Sequence, residues 1–362
     1  METPRLAKRV INDSLRITKD DNVQVYCSKH TIDLAETFAL ECQKVGAHAS
    51  LALYTDELNY DYLLERPIEY LETPDPFGLA ILDVATVAID LSAVEDPTRM
   101  ERITPERWTA MSKGNEPSNK KWLKSRIQST NIGLGYVTPQ RAKAYGFDHK
   151  AWKENSYAAV DVDYGEMKRI GGKLKKALET AKEIRITNAA GTDLTARVEG
   201  GLIKVDDGVA NREDLEKAAR VIELPGGTVT IVPELTSAKG TFVSDIALPL
   251  FGKPIKGTSW KFEKGMIVSF EGKENIQLMK DKWLQGTGDK SKFGFIQFGL
   301  NPSAKPGFLY SHIVRGAVTV GIGDNRWVGG KSESSISWAA TSASATVKLD
   351  NKTIIDKGKM IL

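Results

Sequence analysis

The chain has 362 residues, of which 41% are hydrophobic and 27% are charged, and its formal net charge is +3 at pH 7. This balance is typical of a soluble globular protein of about two domains, and it excludes a disordered or collagen-like chain. The small net charge argues against nucleic acid or an anionic membrane as the main partner. Four histidines in so long a chain argue against a histidine-rich metal site.

The first half of the sequence alternates between helix and strand patterns. Apolar residues at helical spacing over 6–17 precede an alternating strand over 22–26, a helix over 31–45 that ends at Gly46, and a strand over 47–54. Further strands are predicted over 85–91 and 132–136, on either side of a charged helical region over 105–128 that is broken near 114–118. The β-α-β order with a short turn after the first strand predicts an α/β domain with a parallel sheet.

The two cysteines and the apolar stretches indicate the compartment. Cys27 lies on the first predicted strand and Cys42 on the helix after it, and we interpret both as reduced, buried thiols. No apolar run follows a basic segment at the N-terminus. The longest apolar stretch, 77–91, is interrupted by Asp83 and Asp90 and is too short to span a bilayer. We therefore expect a cytoplasmic protein without a membrane partner.

The second half begins with a basic helix over 163–184, whose apolar residues fall on one stripe. After it, short strand patterns alternate with Gly and Asn turns, over 183–187, 228–232, 258–262, 266–270, 318–322, 335–338 and 345–349. Regular short spacing of this kind predicts mainly antiparallel sheets. The sequence thus predicts an α/β domain over 1–182 and an α+β domain rich in antiparallel strands over 183–362.

Four segments of the second half resemble a known family. They are 190–195 (AGTDLT), 223–233 (ELPGGTVTIVP), 294–302 (GFIQFGLNP), and 316–338, which contains GAVTVGIGDN and VGGKSESSISW. In order, spacing and glycine pattern they look like the thermophilic metallo-aminopeptidases of the aminopeptidase T type. The same scaffold is shared by the iron-dependent 2,5-dihydroxypyridine dioxygenases. The resemblance covers nearly the whole chain and implies that the C-terminal domain carries the metal-site cleft.

The resemblance also implies five metal-ligand positions, and here none carries an ordinary ligand for zinc, cobalt or iron. The glutamate position after Pro-Gly-Gly is Thr228, and the second glutamate position, an iron-binding histidine in the dioxygenases, is Phe295. The histidine position on the next strand is Thr319, and the His-x-Asp pair is replaced by Ser337 and Ala339. A catalytic zinc needs about three protein ligands, and a non-haem iron needs two histidines and a carboxylate. The sequence therefore predicts a divergent, metal-free member.

What remains at the implied cleft is a set of hydroxyls and aromatic faces with one guanidinium. Such groups suit an extended peptide or a small aromatic ligand, since hydroxyls meet backbone amides and rings pack on side chains. The alternative is that these residues only fill a cavity that no longer binds anything. The candidate binding residues are Thr228, Phe295, Tyr310, His312, Thr319, Arg326, Trp327, Ser337 and Trp338.

We expect a catalytically inactive, cofactor-free, aminopeptidase-like protein that binds a peptide. It would be an accessory protein that presents a precursor peptide to modifying enzymes in peptide natural-product biosynthesis, and the resemblance implies a homodimer. One alternative is an enzyme with new metal-independent chemistry in the same cleft, such as hydrolysis, cyclisation or isomerisation. Another keeps a metal through a shifted ligand set formed by His312, Asp324 and Glu333.

Overall fold

The computed structural model describes residues 3–96, 99, 102–210, 220–250 and 253–362. The chain forms two compact units. Unit 1 consists of Met1–Ala144, Asp148–Asp161 and Gly208–Pro225, and unit 2 of Tyr145–Phe147, Val162–Asp207 and Gly226–Leu362. The chain therefore enters unit 2 at Tyr145, returns to unit 1 for two segments, and completes unit 2 with its C-terminal part.

The α-helices of the described residues are α1 Thr3–Arg9, α2 Ile32–Lys44, α3 Tyr62–Glu65, α4 Ile68–Leu71, α5 Pro76–Val84, α6 Pro105–Lys124, α7 Pro139–Tyr145, α8 His149–Val160, α9 Tyr164–Thr180 and α10 Ile276–Gln285. The strands are β1 Asn22–Ser28, β2 His48–Tyr54, β3 Val87–Asp90, β4 Gln128–Ile132, β5 Glu183–Thr187, β6 Asp193–Arg197, β7 Leu202–Asp206, β8 Arg220–Leu224, β9 Thr228–Val232, β10 Lys239–Val243, β11 Leu248–Leu250, β12 Lys253–Ile255, β13 Ser259–Glu263, β14 Met266–Glu271, β15 Phe293–Gly299, β16 Val318–Gly323, β17 Ser337–Ser342, β18 Thr346–Leu349, β19 Lys352–Asp356 and β20 Lys359–Met360.

Unit 1 is built on a parallel sheet with strand order β2-β1-β3-β4-β8. The α/β prediction for the N-terminal half is thus confirmed. Helix α2 packs against β1 and β2 through its buried apolar side and ends at Lys44. Gly46 follows its C-cap residue, and the φ of +93° is the left-handed conformation expected of a glycine at this place. Cys27 and Cys42 are free, buried thiols, as the sequence predicts.

Two element predictions in unit 1 are wrong in detail. The strand predicted over 132–136 is already complete at Ile132, and Gly133–Tyr136 form a 3₁₀ turn. The predicted helix over 105–128 is a single helix, Pro105–Lys124, that contains Pro117. Gly114 does not break the helix. It allows the helix to approach the main chain of Leu71 closely, since a Cβ at residue 114 would lie 2.2 Å from the Leu71 carbonyl oxygen.

The described residues of unit 2 form two large antiparallel sheets and a short antiparallel pair of strands, β11 and β12. The larger sheet has the strand order β14-β13-β10-β6-β5-β18-β19-β20, and the smaller one has the order β17-β16-β15-β9-β7. Both sheets and helix α9 contribute to one hydrophobic core, which includes Leu174, Phe242, Trp260 and Phe298. The prediction of a C-terminal part rich in antiparallel strands is confirmed.

The strand predicted over 335–338 is displaced, since it begins at Ser337 and runs to Ser342. The residues before it are held in a turn, where the Ser335 amide and the Ser334 hydroxyl both donate to the carbonyl of Thr287. No helix within the described ranges is long and apolar enough to cross a membrane.

Candidate functional site

The five positions at which the resemblance implies metal ligands lie together on one face of the smaller sheet of unit 2. Thr228 on β9 pairs with Gly299 on β15, and Phe295 on β15 pairs with Gly321 on β16. Residues paired across strands share a face, and side chains alternate along each strand. The register therefore defines a polar face of the sheet, formed by Thr228, Thr230, Phe295, Gln297, Thr319, Ser337, Ala339 and Thr341.

Trp338 lies on the opposite face and does not join the other candidate residues. It pairs with Ile322, is 9% exposed, and belongs to the hydrophobic core. Successive side chains of a strand point to opposite faces, so Ser337 and Trp338 cannot line the same surface. Phe293 and Phe295 also lie on different faces of the sheet, although they are two residues apart. An irregularity in the β15–β16 register at Gly294 places Phe293 opposite Ile322.

An aromatic pair occupies the second glutamate position. The ring of Phe295, only 4% exposed, meets the ring of Trp327 edge to face, with centroids 5.0 Å apart. Below it lies Gly321, where a Cβ would come within 2.2 Å of the Phe295 ring. Lys204 also lies over the Trp327 ring, with its Nζ 5.7 Å from the ring centroid. This position is therefore filled by apolar ring atoms, which exclude the water that a cation retains.

Neutral hydrogen bonds join four other side chains of the polar face in two pairs. Thr319 Oγ1 and Thr341 Oγ1 lie 2.9 Å apart, and Gln297 Nε2 donates to Thr230 Oγ1 over 3.0 Å. Their partners are thus other hydroxyls and amides, without a carboxylate, imidazole or thiolate. Zinc and iron sites need such charged or nitrogen ligands, so the residues at these positions do not fit either metal.

Gln297, Thr230 and Thr341 were not among the sequence-derived candidates. A signal for two of them was present, because Thr230 and Gln297 interrupt otherwise apolar strands, TVTIV and FGFIQFG. A polar residue that recurs at every second position indicates a face that does not belong to the core.

Arg326 is already paired with two carboxylates. Its guanidinium contacts Asp324 at 2.6 Å and Glu333 at 2.9 Å. Burial raises the pKa of Asp324, but hydrogen bonds from the Arg326 side chain, the Arg326 amide and the Ser334 amide outweigh it and hold that pKa below its usual value. Ser337 is exposed, and its hydroxyl donates to the main-chain carbonyl of Asp324 over 2.9 Å. Asp324 and Glu333 therefore hold an arginine.

Tyr310 and His312 lie at a 3₁₀ turn after β15, with ring centroids 6.0 Å apart. Across the described part of the chain, no three His, Cys, Asp or Glu side chains are grouped so that they could hold a metal ion. The shifted ligand set of His312, Asp324 and Glu333 is therefore not assembled.

Burial lowers the pKa of His312 to about 4, from 6.5 in the absence of interactions. In the unfolded chain His312 gains its proton near pH 6.5, whereas in the folded chain it stays neutral until about pH 4. Protonation therefore favours the unfolded chain between these values, and the free energy of unfolding decreases as the pH falls from 6.5 towards 4. We expect His312→Phe to flatten the decrease in unfolding free energy over that window, as measured by urea titration at stepped pH. Replacement of the exposed His48 by Gln is the control, and an unchanged slope in His312→Phe would contradict the assignment.

Two buried asparagines, which the sequence reasoning also missed, fix the loops beside the polar face. Asn301 donates from Nδ2 to the carbonyl of Gly226 over 3.0 Å, and its Oδ1 accepts from the amides of Ser303 and Ala304. Asn325 donates to the carbonyl of Gly294 over 3.0 Å and accepts from the amide of Ser332. Both belong to the quoted motifs, GLNP and GIGDN, so the motifs are retained here for loop geometry.

Comparison with known proteins gives a protein family and solved structures of similar fold. The family model described as thermophilic metalloprotease (M29) matches residues 2–288. Wild-type AmpT from Thermus thermophilus is 16% identical with a TM-score of 0.73, over 99% of this chain and 99% of that chain. The 2,5-dihydroxypyridine dioxygenase from Pseudomonas putida KT2440 is 16% identical with a TM-score of 0.65, over 99% of this chain and 96% of that chain. No curated protein sequence matches the chain.

Proposed function

The chain belongs to the thermophilic metalloprotease (M29) family, and from that premise we propose that it is a metal-free, catalytically inactive member that binds a peptide. The observation that carries the proposal is the replacement of all five ligand positions by Thr, Phe, Thr, Ser and Ala. The scaffold around them is kept, including the buried asparagines Asn301 and Asn325. The implied ligands are replaced while the surrounding loops are kept, and this combination supports a binding role at this surface.

A peptide at this surface would meet three kinds of group. Trp327 is 45% exposed and is braced from below by Phe295, so it offers a rigid aromatic surface for an apolar side chain. The Arg326 side chain is 53% exposed, which leaves donors for a peptide carbonyl beside its two carboxylate partners. Exposed Ser337 supplies a hydroxyl. In this proposal the protein is an accessory component that presents a precursor peptide to separate modifying enzymes, as a homodimer.

Isothermal titration calorimetry with synthetic peptides encoded by the neighbouring genes tests this proposal. We expect one of them to bind, and Trp327→Ala to weaken that binding at least about tenfold, because a buried aromatic contact commonly contributes that much. Tyr70→Ala, which removes an aromatic ring that is 54% exposed in unit 1, is the matched control and should leave the affinity unchanged. Absence of binding by every peptide, or equal effects of the two variants, would overturn the proposal.

The alternative of metal-independent catalysis has less support. In the described residues the hydroxyl of Ser337 donates to a main-chain carbonyl, and that of Thr319 bonds to Thr341, so neither is paired with a general base. Single-turnover assays with a bound peptide distinguish the two functions. Chemical change of the peptide that is abolished by Ser337→Ala would favour the enzyme.

A further inference from the structure

Unit 1 contains a cavity that the proposed peptide function does not use. It has a volume of about 280 Å³ and lies on one face of the parallel sheet, against Ile81 of α5 and Trp122 of α6. Parallel sheets are ordinarily covered by apolar side chains on both faces. Among the described residues this covering is incomplete, and the floor of the cavity carries polar side chains.

A row of polar side chains crosses this floor in register. Tyr26 on β1 pairs with Asp90 on β3, Asp90 pairs with Asn131 on β4, and Asn131 pairs with Glu223 on β8. All four residues line the cavity. Tyr26 and Asp90 lie on the two strands between which the strand order β2-β1-β3 reverses. In open α/β sheets such a switch point is where ligands bind.

Asp90, Tyr26 and Asn131 each have a side-chain atom that makes no hydrogen bond among the described residues. Asp90 Oδ1 accepts from the Ser92 amide at 2.7 Å and the Ser92 hydroxyl at 2.6 Å, while Oδ2 accepts from no group among the described residues. Those residues also provide no ion pair for Asp90. The Tyr26 hydroxyl and the Asn131 amide likewise form no hydrogen bond within the described ranges. A partly buried carboxylate without a cationic partner is a group with which a cationic ligand could pair.

The surroundings favour a cation over an anion. Burial raises the pKa of Asp90, and the hydrogen bonds from Ser92 oppose that rise. Burial, with smaller contributions from Tyr54 and Asp90, raises the pKa of Tyr26 to about 12, so its phenol stays neutral. The ring of Tyr54 lies 5.9 Å from that of Tyr26. Aromatic faces beside a carboxylate attract ammonium groups.

We propose that this cavity binds a small primary amine with an aromatic or aliphatic body. Its ammonium group donates to Asp90 Oδ2, the Asn131 side-chain oxygen and the Tyr26 hydroxyl, which supply one acceptor for each of the three N–H bonds. The body packs against Ile81 and Trp122. The volume is just below the range of drug-sized sites, which begins at ~300 Å³, so the ligand is a compact molecule.

Titration of the full chain with three compounds of one shape tests this site. We expect phenethylamine to bind at least about tenfold more tightly than the neutral 2-phenylethanol, and the anionic 3-phenylpropionate not to bind. Asp90→Asn keeps the acceptor for Ser92 and removes the charge of Asp90, so it should sharply reduce the preference for the amine, with Glu223 left as the other carboxylate of the lining. Asp83→Asn, which removes a carboxylate on α5 that pairs with Lys121, is the control and should leave the preference unchanged.

Comparison of the three compounds on the wild-type chain decides the outcome even where Asp90→Asn fails to fold. Equal affinity for amine and alcohol, or no binding by the amine, would overturn the proposal. With a folded Asp90→Asn variant, a preference as large as that of the wild-type chain would overturn it as well. Tyr26→Phe retains the ring and removes one acceptor. We expect this substitution to weaken the binding of phenethylamine more than the binding of 2-phenylethanol.

Discussion

Replacement of Phe295 by alanine should lower the free energy of unfolding by ~3–5 kcal/mol, the usual cost of removing a buried phenylalanine. The ring is 4% exposed and lies between Gly321 and Trp327. Because glycine has no side chain to move into the space, the cavity would persist and Trp327 would lose its support. Urea unfolding followed by circular dichroism measures the effect.

Phe77→Ala is the matched control, because this phenylalanine is 80% exposed and its removal should change stability by less than ~0.5 kcal/mol. A companion variant sharpens the test. Gly321→Ala places a methyl group against the Phe295 ring and should cost ~1–3 kcal/mol alone, yet much less when Phe295 is already alanine. Additive effects of the two substitutions would contradict the packing described.

Asn325→Ala should lower the free energy of unfolding by about 3 kcal/mol. The substitution leaves the carbonyl of Gly294 and the amide of Ser332 without their partner, and each buried unpaired group costs ~1–3 kcal/mol. The side chain is fully buried, so water cannot replace it without a local opening of the loop. Thermal unfolding monitored by calorimetry checks this value.

Asn12→Ala serves as the control, because Asn12 is exposed and donates only to Lys8 on the same helical segment. Its effect should stay within ~0.5 kcal/mol. An Asn325→Ala variant as stable as Asn12→Ala would show that the loop between β16 and β17 does not depend on this side chain.

Local patterns were enough to predict most of the architecture. Alternation over 183–187 and 228–232 gave strands with the observed bounds, and Gly46 marked the end of α2. The failures have tertiary causes. Gly114 suggested a helix break, but it permits contact with the Leu71 carbonyl, and residues 334 and 335 are held by the distant Thr287. Such contacts between remote segments have no local signature.

The candidate site was predictable in part. The family resemblance identified positions that the strand register places on one face, including Thr228, Phe295 and Thr319. It did not separate Trp338 from Ser337, although strand alternation alone would have done so. The pairing of Arg326 with Asp324 and the contact between Phe295 and Trp327 depend on the path of a turn. The cavity of unit 1 could not be predicted, because four strands far apart in sequence form its floor.

A member of the family that has lost its metal site should not retain a metal ion, and the metal content of the purified chain can be measured. The chain is purified without chelators, incubated with zinc, cobalt or iron(II), desalted, and analysed by inductively coupled plasma mass spectrometry. We expect far less than one retained ion per chain, because the implied ligand positions carry Thr228, Phe295, Thr319, Ser337 and Ala339. One tightly retained ion per chain would contradict this expectation.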